Sequence, residues 1–168
     1  MKTNIHEFQN SLRRLESVFE HMVSDVAVLA ADQFDQNFER QSFFGQKWEP
    51  SEYVKRTRPG GSLLVKSGHL RRSIKKQISG SRITFISNAP YAEIHNQGGT
   101  INHPGGTAFF KKKGQTIWVS NRKAMGKKYP RTKPHKIEMP QRQFIGDHPK
   151  LEKMIEKEIE DIITKAFK

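Results

Sequence analysis

The sequence predicts an α+β fold, with a long N-terminal helix and a C-terminal helix packed on a small, mostly antiparallel sheet, and with a projecting basic β-hairpin. Three observations carry that expectation. Apolar residues repeat at helical spacing at both ends of the chain, Gly and Pro break its middle into short apolar runs, and positive charge collects between the two helical ends. At 168 residues the chain fits a single domain with a real core. Its hydrophobic content, 34%, is low and leaves room for surfaces completed by a partner.

The first helix is expected from Ile5 to Phe38. Phe8, Leu12, Leu15, Phe19, Met22, Val26 and Leu29 alternate steps of four and three, Phe34 and Phe38 extend the stripe, and Arg13, Arg14, Glu16 and Glu20 lie off it. A helix of about 30 residues runs about 45 Å, longer than a small domain is wide. Part of the stripe is therefore available to another subunit, unless a kink folds it into the core. The stretch QSFFGQKWEPSEYVKRTRPGG follows; Gly45, Pro50, Pro59 and Gly60–Gly61 make it mostly loop, anchored by Phe44 and Trp48.

A short extended run, Ser62–Lys66, leads to a short amphipathic helix with Ser67 as N-cap and Leu70, Ile74 and Ile78 at four-residue steps. SGS then turns into the strand RITFIS, with Ile83 and Phe85 on one face and Ile86 on the other. TAFFKKKGQTIWVS reads as a hairpin, and the basic, proline-containing NRKAMGKKYPRTKPHKI after it as irregular. Asp147 is the candidate cap of the final helix and Pro149 suits its first turn; Leu151, Met154, Ile155, Ile159, Ile162, Ile163 and Phe167 make its apolar face. The expected core comprises Leu12, Leu15, Phe19, Met22, Leu70, Ile74, Phe85, Tyr91, Phe144, Ile155, Ile159 and Ile162.

Charge is unevenly spread. The net +13 resolves into 4 Lys/Arg against 7 Asp/Glu over 1–40, 21 against 4 over 41–144, and 5 against 6 over 145–168. Between Ile94 and Ile137 there are 10 Lys/Arg and no Asp or Glu, a pattern suited to a polyanion or an acidic protein surface. With no cysteine, disulfides, thiolate chemistry and cysteine-bound zinc are unavailable. The N-terminal stretch lacks a signal-peptide core and no run approaches about 18 apolar residues, so a soluble intracellular product without a membrane partner is expected.

Enzyme motifs mostly fail. AMGKKYP holds a Gly-Lys pair, yet Asn121 and Lys128 occupy the places where a P-loop needs Gly and Ser or Thr. No G-x-S-x-G elbow occurs. NAPYAEIHNQGG is the chemically suggestive stretch: Glu93 and His95 would share a side of an extended segment, with Asn96 and His103 near in sequence, as a His-containing metal nuclease would want. The segment that should then form a helix carries Pro130 and Pro134 and adds no acidic ligand, which favours a histidine hydrogen-bonded at a strand end.

The order of the landmarks resembles one known family. FFGQKWEPS, LLVKSGHLRRSI, YAEIHNQGG and MPQRQFIGD occur in sequence between an aromatic-rich first helix and a last helix. Together they resemble the bacteriophage virion morphogenesis family, the Mu G-like proteins related to tail completion and head–tail joining factors. The likeness spans nearly the whole chain, read as one domain over residues 1–168 with a basic hairpin and loop insertion at about 100–137. It departs at Gln141 and Gln143, where an alanine and a proline are more familiar.

The resemblance implies a ring-forming, non-catalytic component of the junction between capsid and tail, without cofactor or metal. Copies of itself and other phage head, connector or tail proteins would be its partners, in the host cytoplasm during assembly and then in the virion. Its motif residues are Trp48, Ser67, Gly68, Leu70, Tyr91, Ala92, His95, Gly98, Pro140, Arg142, Phe144 and Gly146. It implies that Tyr91 and Ile94 bury against the helices, and that His95 satisfies backbone groups or bridges to Arg142 through a carbonyl. Lys111, Lys112, Lys113, Arg122, Lys123, Lys127, Lys128 and Arg131 are the candidate polyanion or partner contacts. The competing reading is a nucleic-acid binder, since Phe109, Phe110, Trp118 and Tyr129 interleave with these cations. Non-specific DNA contact is compatible with both readings, and no helix-turn-helix, RNA-binding sheet motif or zinc finger is present.

Overall fold

The computed structural model describes residues 5–50, 54–55, 59–120, 123 and 128–166. Phe167 and the basic candidates Arg122 and Lys127 lie outside the described residues. The chain forms two compact units, one of Met1–Gln97 with Gln141–Lys168 and one of Gly98–Pro140. Its class is α+β: a long first helix, a last helix and small antiparallel ladders.

In the first unit, α1 (Ile5–Arg40) is followed by the two-residue strands β1 (Ser42–Phe43) and β2 (Gln46–Lys47). A short helix α2 (His69–Ser73) runs directly into the hairpin β3 (Ile74–Ser79) and β4 (Arg82–Ser87). Helix α3 (Ala92–Gln97) and the terminal helix α4 (Pro149–Ala166) complete it. The second unit holds β5 (Gly99–His103), β6 (Ala108–Lys112), β7 (Gln115–Val119) and β8 (His135–Met139). Among the described residues the small antiparallel sheet takes the form of four two-stranded ladders, β1–β2, β3–β4, β5–β8 and β6–β7.

The stripe of α1 does two different things along its length. Val23, Val26, Ala27, Ala30, Phe34 and Phe38 are buried. Ala30 and Phe34 pack with Phe43 and Leu151, and Phe34 meets Phe85 edge to face at 4.9 Å. Phe38 joins Trp48, Leu63, Leu70, Ala89, Ala92 and Phe144 in the main cluster. Toward the N-terminus the stripe emerges into solvent: Phe19 is 46% exposed, Leu15 46%, Leu12 44%, Phe8 62% and Ile5 67%. Leu12, Leu15 and Phe19 are therefore corrected from core to surface. The cause is length. The 36 residues of α1 span about 54 Å, while the 18 of α4 span about 27 Å and shield one side only.

Other expectations are corrected locally. The helix expected from Ser67 through Ile78 stops at Ser73, and Ile74–Ser79 is a strand. Leu70, Ile74 and Ile78 fit both readings, because a four-residue step is close to one helical turn and is also two strand repeats. Pairing with β4 through the two-residue turn Gly80–Ser81 decides for the strand. Gly68 is the N-cap of α2, and the Ser67 hydroxyl accepts the His69 N–H at 3.4 Å. Ser62–Lys66 bends, with Leu64 at φ 60°, and is not extended.

Tyr91 is 39% exposed and belongs to the surface. The segment with Glu93 and His95 is helical, not extended. The final helix is capped by His148 in place of Asp147: its carbonyl accepts the Leu151 N–H at 2.8 Å and its Nδ1 the Lys150 N–H at 3.1 Å. Pro149 opens that helix as expected, and Leu151 is buried while Met154, Ile155, Ile159 and Ile162 are half-buried. The irregular stretch ends in β8, which pairs with β5, a ladder absent from the sequence reading. The hairpin β6–β7 stands where expected and turns at Lys113–Gly114, both with positive φ (49° and 77°), the geometry that suits glycine at a hairpin tip.

Candidate functional site

The motif residues of the first unit converge on one backbone segment, Gln141–Ile145. The Arg142 N–H donates to the His95 carbonyl at 2.7 Å. Asn96 grips the next turn with both ends of its amide: Oδ1 accepts the N–H groups of Phe144 (2.9 Å) and Ile145 (3.2 Å), and Nδ2 donates to the Ile145 carbonyl at 3.1 Å. From the opposite side Asn37 of α1, buried, donates to the Phe144 carbonyl at 3.3 Å and accepts the Phe44 N–H at 3.1 Å. The Trp48 indole donates to the Gln143 carbonyl at 2.8 Å. A segment without helix or strand thus has its backbone groups met by side chains, as burial demands.

Phe144 plugs the middle of this arrangement at 0% exposure, with its ring 5.3 Å from that of Phe38. Leu70 and Ala92 wall the same cluster. Gly98 follows α3 with φ 73°, the left-handed conformation that closes a helix C-terminus, and so lets the chain leave at Gln97. Gly146 ends the gripped turn, and Pro140 precedes it at the end of β8. Arg71 ties α2 to α1 through Asp35 and through Glu39 at 2.8 Å, and those carboxylates hold its guanidinium firmly in the charged form.

Arg142 is 3% exposed, and its Nε donates to the Glu49 carbonyl at 2.9 Å. Its Nη2 and the Nδ1 of His95 are both buried with no hydrogen-bond partner among the described residues. Contact between the two motif residues therefore runs through the backbone carbonyl of His95, while the imidazole stands edge-on to Tyr91 at 6.0 Å. Burial first, and the nearby Arg142 charge second, push the His95 pKa below its ordinary 6.5. Burial likewise lowers that of Arg142, against the attraction of Glu49.

A folded-state pKa below the unfolded one means that the unfolded chain binds the proton more readily. His95 then contributes stability that is complete above the unfolded value of about 6.5 and is lost as pH falls below it. Thermal denaturation between pH 7.5 and 5.5 should show a steeper fall for the native chain than for His95→Gln. Parallel curves would contradict this account.

Among the described residues no three His, Asp or Glu side chains are grouped as metal ligands. Asn96 and Asn37 are the anchors that sequence reasoning missed. Asn96 stands out in the sequence only for its place beside His95, and its three hydrogen bonds form only once the distant turn folds onto it.

The basic candidates lie in the second unit. Lys111, Lys112, Lys113, Lys123 and Lys128 are exposed. Arg131 bridges to Ala108 beside β6 and donates to the Gly106 carbonyl at 2.6 Å. His103 and His135 face each other across the β5–β8 ladder with rings stacked at 4.8 Å.

A side-chain-clamped loop between α1 and α3 and a long amphipathic helix left partly bare are the main features of the first unit. The family model of the phage virion morphogenesis family matches residues 2–167, and the chain belongs to that family. Its role accordingly lies in phage assembly. No curated protein and no solved structure matches the chain. Among the described residues no helix is long and apolar enough to cross a membrane.

Proposed function

We propose that the protein is a non-enzymatic component of the capsid–tail junction, acting at tail completion or head–tail joining, and that its copies pack side by side into a ring. It assembles in the host cytoplasm and ends in the neck or tail region of the virion, against other head, connector or tail proteins. The observation that carries this reading is the bare half-stripe Ile5, Phe8, Leu12, Leu15 and Phe19. These side chains share one helical face, and leaving each half in water forgoes roughly 1–2 kcal/mol.

The strict alternation of three- and four-residue steps is the seam that another helix fits by knobs-into-holes packing, which favours a protein partner over lipid. Its flanks carry Arg13 and Arg14 beside Glu16 and Glu20, both signs within two turns, so a different face of the next copy meets no like-charge barrier there. Closure into a ring requires unlike faces of neighbouring subunits, and the contrast between an acidic-leaning first helix and a basic second unit supplies them. Light scattering on the purified chain should give a closed multiple of 19.4 kDa at micromolar concentration. A monomer throughout that range would overturn the ring.

A further inference from the structure

The unit Gly98–Pro140 carries most of the excess charge, with 10 Lys/Arg against Glu138 alone. That carboxylate accepts the Thr100 hydroxyl at 2.6 Å, and among the described residues none of Lys111, Lys112 or Lys113 is ion-paired. The β6–β7 register sets Phe109 opposite Trp118 and Lys111 opposite Thr116. Alternation along each strand then places these four side chains on one face. Trp118 is 60% exposed, its ring 6.0 Å from that of Phe109 at 61°. On the other face Phe110 faces Tyr129 at 6.2 Å. One face of the hairpin is thus partly covered by its own unit, and the other presents the Trp118 indole and Lys111 to water, with Lys113 in the turn beside them.

We propose that this second face binds single-stranded nucleic acid, with a base stacked on Trp118 and the phosphate backbone neutralised by Lys111 on that face, by Lys113 in the turn, and by Lys112 reaching around the hairpin tip from the opposite face. Lysine is depleted from the cores of protein–protein interfaces, where charge of one sign has to be matched group by group. A flexible polyanion tolerates uncompensated lysines, and any base offers a face to an exposed aromatic ring. Arg131 is left out because its guanidinium already serves the Gly106 carbonyl. The inference is independent of ring formation and stands if the chain is a monomer.

The test uses the full chain and its own fluorescence. The sequence has two tryptophans; Trp48 is 6% exposed and Trp118 60%, so a change in emission on adding ligand reports Trp118. Titration with oligo(dT) should quench it, with affinity falling about tenfold or more as salt rises fourfold. Trp118→Ala, followed by anisotropy of a labelled oligo(dT), should weaken binding by about 5- to 100-fold, the worth of one stacked base. Lys111→Gln, Lys112→Gln and Lys113→Gln together should lower the salt slope by about 2. Absence of quenching would overturn the proposal. So would polyglutamate binding as tightly as oligo(dT), which marks an acidic protein surface. Duplex DNA bound equally well by the Trp118→Ala chain would overturn the stacking.

Discussion

Replacing Phe144 by alanine should destabilise the protein by about 3–5 kcal/mol, the cost of emptying a fully enclosed aromatic site. The ring is 0% exposed and sits among Phe38, Trp48, Leu63 and Leu70. Collapse around the missing ring is opposed by the backbone beneath it, because Asn96 holds the Phe144 N–H and Asn37 its carbonyl. The segment cannot sink into the space without giving up those bonds, each of which would leave a buried polar group unpaired at about 1–3 kcal/mol. Denaturant unfolding should therefore show a loss near the upper end of the range. Ile86→Ala, on the exposed face of β4 at 44% exposure, should stay within about 1 kcal/mol of the native chain. A similar small loss for Phe144→Ala would mean that the gripped turn is not the keystone of the first unit.

The second large effect is on assembly, with little on folding. Leu12→Glu combined with Phe19→Glu puts two carboxylates into the middle of the bare stripe. Both positions are exposed by nearly half in the single chain, and Glu is a good helix former, so the unfolding midpoint should move little. In an interface the same charges would be taken out of water beside apolar neighbours, at a cost of several kcal/mol for each one left unpaired. The expected outcome is a folded monomer of 19.4 kDa where the native chain is an oligomer. A folded double variant that keeps the native mass would show that the stripe is not the contact.

Much of the architecture is legible in the sequence, and the reasons for the misses are physical. The first and last helices and the β6–β7 hairpin each carry a pattern that is local and repeated, so a periodic count finds them. Helix α1 is legible almost end to end, since its stripe runs from Phe8 to Leu29 in steps of three and four and continues through Phe34 and Phe38. What the stripe does not disclose is which of its turns find a partner inside the chain. That depends on how far α4 reaches, a tertiary fact, and it explains why Leu12, Leu15 and Phe19 continue the core pattern without joining the core. Strand β3 is hidden in the sequence by a coincidence of periods. Strands β5 and β8, GTINH and HKIEM, contain few apolar residues and owe their pairing to each other across more than thirty intervening positions.

The motif residues divide in the same way. Phe144 and Leu70 are apolar at positions where a core is expected, and the structure buries both. Arg142 is also buried, yet nothing in its neighbourhood of Gln141 and Gln143 foretells an enclosed guanidinium. Asn37 and Asn96 act on backbone groups 107 and 48 or 49 residues away, a role that no spacing rule encodes. The charge segregation, by contrast, is a direct reading of the chain, and it coincides with the second compact unit.

The central claim is that the bare half of α1 is covered by another copy of the chain. Amide hydrogen exchange over Ile5–Phe19, followed by mass spectrometry as the native protein is diluted, tests it most directly. A covered helix should exchange slowly when concentrated and quickly once diluted below its dissociation point, while the amides around Phe144 stay equally slow throughout. If Ile5–Phe19 exchanges at one rate at every concentration, the stripe has no copy to meet and the account fails.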